Sequence, residues 1–176
     1  DAPGRAMTRI IAMDASPLTM SLRARMVPIV STMLASMLPL APVVSTAPLV
    51  PPAGLLMLLG WRLLRPELWP VWVALPFGLF DDLFSGQPLG SAMLTWTLAF
   101  IGIDLCDRWL VWRDYWQEWF IAASCIAFCM IAAFLIAIST GGGGYILIIV
   151  PLLFASILLF PLAARLCATL DRWRLM

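Results

Sequence analysis

Two adjacent carboxylates, Asp81 and Asp82, stand inside a strongly apolar stretch, in the run Gly78-Leu79-Phe80-Asp81-Asp82-Leu83-Phe84-Ser85-Gly86-Gln87-Pro88-Leu89-Gly90. Ionisable residues inside a membrane span are costly, so each one points first to a function or a specific partner. Two acids side by side suggest general acid and base work. Neighbours on a helix, however, point about 100° apart, so these two are not expected to act as a pair. Asp82 shares a face with Gly78, where a second helix can approach closely and supply a partner. Asp, Ser and Gly just ahead of Pro88 suit a turn and a helix start equally well, with one Asp as the cap. At the level of sequence both readings of Asp82 stand.

The other groups with chemical potential are few. The chain has no His, which removes the commonest metal ligand and the usual neutral-pH base. Cys125 and Cys129 have the i, i+4 spacing of a shared helix face and could bind a soft metal, but no further ligand lies nearby in sequence. Buried, inert thiols are therefore expected there, as at Cys106 and Cys167. Gly141 to Gly144 resembles a phosphate loop only in its glycines: Tyr145 and Ile146 follow where Lys and Ser or Thr are needed, so a turn is expected. An intramembrane enzyme would need a nucleophile with its base, or a proton relay at mid-bilayer. The sequence offers neither, so no enzyme activity, no catalytic residue, no metal and no cofactor are expected.

The elements that must carry these residues follow from composition. Hydrophobic residues make up 62% of the chain and charged residues 12%, against the ~25% charged share of a soluble domain, and the mean hydropathy is +0.96. The expected fold is an all-α membrane protein, a six-helix transmembrane bundle. Its spans lie at about 26–46, 49–64, 67–84, 88–104, 118–139 and 145–166, each near the ~20 residues that cross a ~30 Å hydrocarbon core. Residues 1–25 are expected to form a cytoplasmic N-terminal tail and 167–176 a cytoplasmic C-terminal tail. The first span is read as a retained helix: its apolar run exceeds a signal peptide's, and Pro48 follows the small residues Ser45-Thr46-Ala47. Arg62, at the end of the short second span, is expected to snorkel to the interface.

Every basic residue is Arg, and each falls in an even-numbered loop or a tail. Arg5, Arg9, Arg23 and Arg25 precede the first span, and Arg62 and Arg65 follow the second. Arg108 and Arg113 follow the fourth, and Arg165, Arg172 and Arg174 lie at the C-terminal end. The positive-inside rule then places both termini in the cytoplasm. Between Asp107 and Glu118, the indoles of Trp109, Trp112, Trp116 and Trp119 fall within about 80° of arc at helical spacing, opposite Asp107, Asp114 and Glu118. A helix lying in the cytoplasmic interface is expected, either as an aromatic belt that sets helix depth or as a platform for a partner protein.

The run around Asp82 has the pattern G-L-x-x-D-L-x-S-G-x-P-L-G, and Trp61 to Glu67 reads W-x-L-x-R-P-E. With the chain's length, expected spans and cytoplasmic ends, these residues resemble the rod shape-determining MreD family. The resemblance implies motif roles, structural or in partner contact, for Gly78, Asp82, Ser85, Gly86, Pro88, Leu89 and Gly90; Asp81 is an addition to the pattern. It also implies a multi-pass protein of the bacterial inner membrane and a non-catalytic subunit of the elongasome, the machine that builds side-wall peptidoglycan. The partners implied are MreC, the actin-like MreB, and RodA with its class B penicillin-binding transpeptidase, reached directly or through MreC. Membrane lipid surrounds such a subunit, and no nucleic acid is involved. The family is similar in fold to the substrate-binding components of energy-coupling-factor vitamin transporters. That likeness supplies the alternative, a small-molecule-binding membrane subunit, which would be favoured by a deep outward-facing pocket lined by polar side chains.

Overall fold

The computed structural model describes residues 22–40, 51–109, 115–141 and 146–175. Among them there is no strand. The helices are α1 (Leu22–Ser36), α2 (Ala53–Leu64), α3 (Ala74–Ser85), α4 (Ser91–Trp109), α5 (Tyr115–Ser139) and α6 (Ile146–Leu175). Short 3-10 turns occupy Leu38–Leu40, Pro66–Leu68 and Val71–Val73.

α2 is the strut around which the others pack. Apart from Arg62 its sequence is apolar on all sides, and from Gly54 to Leu63 every residue is buried, as expected of a helix hydrophobic all round. α1, α5 and α6 contact it, and α3 and α4 pair as a hairpin beside α1. Small residues let the helices close up: a Cβ on Gly60 would stand 2.9 Å from Cys167 Sγ and 3.7 Å from Ala164 Cα of α6. On α1, Thr32 and Ser31 donate to the carbonyl of Pro28 at 2.8 and 3.0 Å, and Ser31 Oγ in turn accepts the indole N–H of Trp61 at 3.0 Å.

Much of the outside of the bundle is apolar. Leu94, Leu98, Ile101 and Leu105 form an exposed stripe on α4, Phe128, Ile131, Leu135 and Ile138 one on α5, and Phe154, Leu158, Leu162 and Leu166 one on α6. Such a surface suits hydrocarbon rather than water, where large exposed apolar patches are rare on monomers. Two helical stretches, Trp116–Ser139 and Ile149–Arg174, are long and apolar enough to cross a membrane.

Several expected boundaries move. The stretch expected as a single span from Glu67 opens with the two 3-10 turns around Pro66 and Pro70, and the α-helix begins only at Ala74. Pro70 has no N–H to donate, and it disfavours the helical region for Trp69 before it. Pro76 is tolerated because it sits in the first turn of α3, where N–H groups have no helical acceptor. α2 and α3 have 12 residues each, so each is about 18 Å long, shorter than a ~30 Å hydrocarbon core. At the other end of the chain, residues 167–175 are not a separate tail: α6 continues to Leu175, and Cys167, Asp171 and Arg174 are buried in the bundle. Residues 1–21 of the expected N-terminal tail, and the Ser45-Thr46-Ala47 stretch, lie outside the described residues.

Candidate functional site

The motif run forms a clasp between α3 and α4. Asp82, on the last turns of α3, is 2% exposed. Its Oδ2 accepts the backbone N–H of Gly90 at 2.9 Å and of Met93 at 3.2 Å, and its Oδ1 accepts the N–H of Ala92 at 2.8 Å and the hydroxyl of Ser91 at 3.0 Å. The first N–H groups of a helix have no acceptor of their own and carry its positive dipole end. A carboxylate from the preceding helix here fills that need, so Asp82 is at once a helix cap and the bonded partner of a neighbouring helix. The two sequence readings describe one arrangement.

The rest of the motif makes that reach possible. Gly78, one turn before Asp82 on the same face, touches the start of α4 so closely that a Cβ would stand 2.5 Å from Met93 Cα and 2.6 Å from Met93 N. Gly86 ends α3 with φ 67°, and Gly90 turns the chain back with φ 94°, conformations open to glycine at little steric cost. The carbonyl of Pro88 accepts the N–H of Ser91 at 3.0 Å. Leu89 is exposed, and Ser85 keeps a buried hydroxyl outside the clasp.

Asp81 points elsewhere, as adjacent helical positions must. Its Oδ1 and the hydroxyl of Ser36 converge on Gly54 of α2: a Cβ there would stand 2.8 Å from Asp81 Oδ1 and would collide with Ser36 Oγ. Asp81 also lines a cavity of about 270 Å³ between α2, α3, α4, α5 and α6, with Gln87, Thr95, Trp96, Cys129 and Phe134 among its walls. Cys129 Sγ lies 3.6 Å from the carbonyl of Thr95, to which it donates. Among the described residues no three His, Cys, Asp or Glu groups gather as metal ligands.

The opposite end of the bundle holds the charges. Arg62 does not snorkel outward: it is 4% exposed, with Asp107 at 3.5 Å, Asp104 at 3.6 Å and the carbonyl of Pro66 at 3.1 Å, and its guanidinium lies 5.9 Å from the centre of the Phe100 ring. Burial turns a long cation toward whatever acceptors the neighbouring helix provides. Arg65 meets Asp171 at 3.0 Å, and Asp171 meets Arg174 at 2.8 Å. These pairs bring the C-terminal ends of α2, α4 and α6 together. Asp107 therefore turns inward to Arg62 rather than forming the wet side of an interfacial helix.

Of that expected helix, Trp109 ends α4 and Trp116 lies in the first turn of α5, both strongly exposed at 81% and 69%. Trp119 is half-buried against Phe120, ring centroids 5.4 Å apart. Trp112 and Asp114 lie outside the described residues. A larger apolar groove, about 650 Å³, runs between α1 and the Pro66-to-Phe80 stretch, with Met33, Trp69, Trp72, Phe77 and Phe80 in its walls and Glu67 among them.

This groove, the Asp81 cavity and the burial of Arg62 are features of the packing of distant helices. Only the cavity had a sequence signal, the extra acid in the Asp81-Asp82 pair. Compared with protein-family models, curated proteins and solved structures, the chain has no match.

Proposed function

We propose that this chain is a non-catalytic integral membrane subunit of the MreD type. It holds MreC, MreB and the RodA–transpeptidase synthase together for side-wall peptidoglycan synthesis, as a six-span bundle of the bacterial inner membrane with both ends cytoplasmic. The observation that carries this reading is the use made of the motif. Gly78, Asp82, Gly86 and Gly90 build a clasp in which both oxygens of the single acid are occupied by the chain's own donors. A motif whose one acid is spent on the chain's own backbone suits a part that keeps a shape for others to dock against. The exposed apolar helix faces and the groove beside α1 offer the surface that partners within a bilayer require.

The test is genetic and biochemical together. Loss of the protein should turn a rod-shaped host into spheres, while purified RodA-type polymerase keeps its activity without it. MreC should co-purify with the wild-type chain from native membranes. Cells that stay rods, or failure of MreC to co-purify at matched expression, would refute the reading.

A further inference from the structure

The cavity that Asp81 enters has no place in a purely positioning role. It sits at the end of the bundle formed by the start of α2, the end of α3, the start of α4, the end of α5 and the start of α6. Its volume of about 270 Å³ lies near the lower edge of ligand pockets.

The polar groups in its walls are mostly acceptors. Asp81 brings a carboxylate. Thr95 has committed its hydroxyl proton to the carbonyl of Ser91 at 2.8 Å, so its oxygen keeps only lone pairs to offer. Cys129 donates to the carbonyl of Thr95. Gln87 lies with its amide 3.3 Å from Ser91 Oγ, whose one proton goes to Asp82. Among the described residues no basic side chain lines the cavity, and the chain contains neither Lys nor His. The remaining walls are apolar and aromatic, Trp96 and Phe134 with Leu55, Met130 and Leu152. Aromatic faces attract cations, and a carboxylate, even one that also meets the Ser36 hydroxyl near Gly54, recognises an N–H donor of positive charge.

We infer that this cavity binds a small organic amine in its cationic form, the ammonium on Asp81 and Thr95 and a compact apolar body against Trp96 and Phe134. Asp81 and Asp82 thus divide the labour of the pair: Asp82 holds the hairpin closed, and Asp81, one position earlier and turned away, faces the ligand. This site is independent of the scaffold reading, since capture of MreC tests one and ligand titration the other.

The experiment is a calorimetric titration of the purified full chain in a neutral maltoside detergent with benzylammonium, benzyl alcohol and benzoate, which share a ring and differ in charge. Saturable binding of benzylammonium is expected, about tenfold or more tighter than that of benzyl alcohol, with none of benzoate. Asp81→Asn should abolish the preference for the cation. Ala133→Leu, which fills the cavity from α5 and leaves Asp81 in place, should abolish binding of both. Adding phosphatidylethanolamine then identifies the natural source of the ammonium. Displacement of benzylammonium assigns it to a lipid headgroup and lack of displacement to a free amine, and either outcome supports the site. The inference is overturned if benzyl alcohol binds as tightly as benzylammonium, if either variant binds like the wild type, or if no saturable binding occurs.

Discussion

Asp82 Oδ1 accepts the backbone N–H of Ala92 at 2.8 Å across ten positions of chain, linking the end of one helix to the first turn of the next. Three N–H groups and one hydroxyl depend on this carboxylate. The same contact explains why Gly78 lies one turn earlier: without a side chain there, the backbone of α4 can come within the carboxylate's reach.

Replacing Asp82 by Ala should therefore cost about 2–4 kcal/mol, because the lost cap leaves buried donors bare. Asp81→Ala should change stability by less than about 1 kcal/mol, since among the described residues no backbone N–H relies on it. Thermal unfolding of both variants in the same detergent checks the order. Equal losses at the two positions would contradict the division of roles.

The glycines provide a steric contrast. Gly78→Ala would place a Cβ 2.5 Å from Met93 Cα, and the helices must part, at a cost of about 1–3 kcal/mol. Gly102, inside α4, has no described atom within 4 Å of where a Cβ would stand. Gly102→Ala should stabilise by up to about 1 kcal/mol through helix propensity alone. Opposite signs in a chemical unfolding series are the expected outcome.

Arg62 has side-chain exposure of 5%, whereas its partners Asp107 and Asp104 are 24% and 38% exposed. Because both acids can recover water, and Asp104 also meets Arg108 at 2.8 Å, Arg62→Ala should cost less than the full ~3–5 kcal/mol of a broken buried pair, on the order of 1–3 kcal/mol. Much of that loss is expected to come from the emptied volume beside Phe100. Arg62→Met, which refills it, should be the more stable of the two variants by thermal unfolding.

Topology follows from the separation of Arg from the other end of the bundle. In a background without the native cysteines, Gln87→Cys and Thr140→Cys, both at exposed positions, should react with an impermeant thiol reagent applied outside the cell. Trp173→Cys, exposed on the last turns of α6, should react only after permeabilisation. The reverse pattern would invert the proposed orientation.

Local pattern decided much of this protein in advance. Apolar runs free of polar punctuation leave a chain in lipid little choice but helix, because each backbone group must find its partner within its own segment. The helical period alone put Asp82 on the Gly78 face and turned Asp81 away. The glycines and Pro88 announced the turn between α3 and α4, since left-handed backbone favours residues without a Cβ. For the same reason the cap was readable: it closes over a span of eight to eleven residues.

What the sequence alone could not decide is whatever depends on distant partners. Arg62 looked like an interfacial residue by its place at a helix end, yet Asp107 lies 45 positions away and turns it inward. Asp171 looked like part of a tail until Arg65, 106 positions before it, bound it into the bundle. The cavity beside Asp81 draws its walls from α2, α3, α4, α5 and α6. Periodicity records which face of a helix a residue occupies but not what that face meets, and so only the packing of the helices gave these charged residues their partners and the cavity its shape.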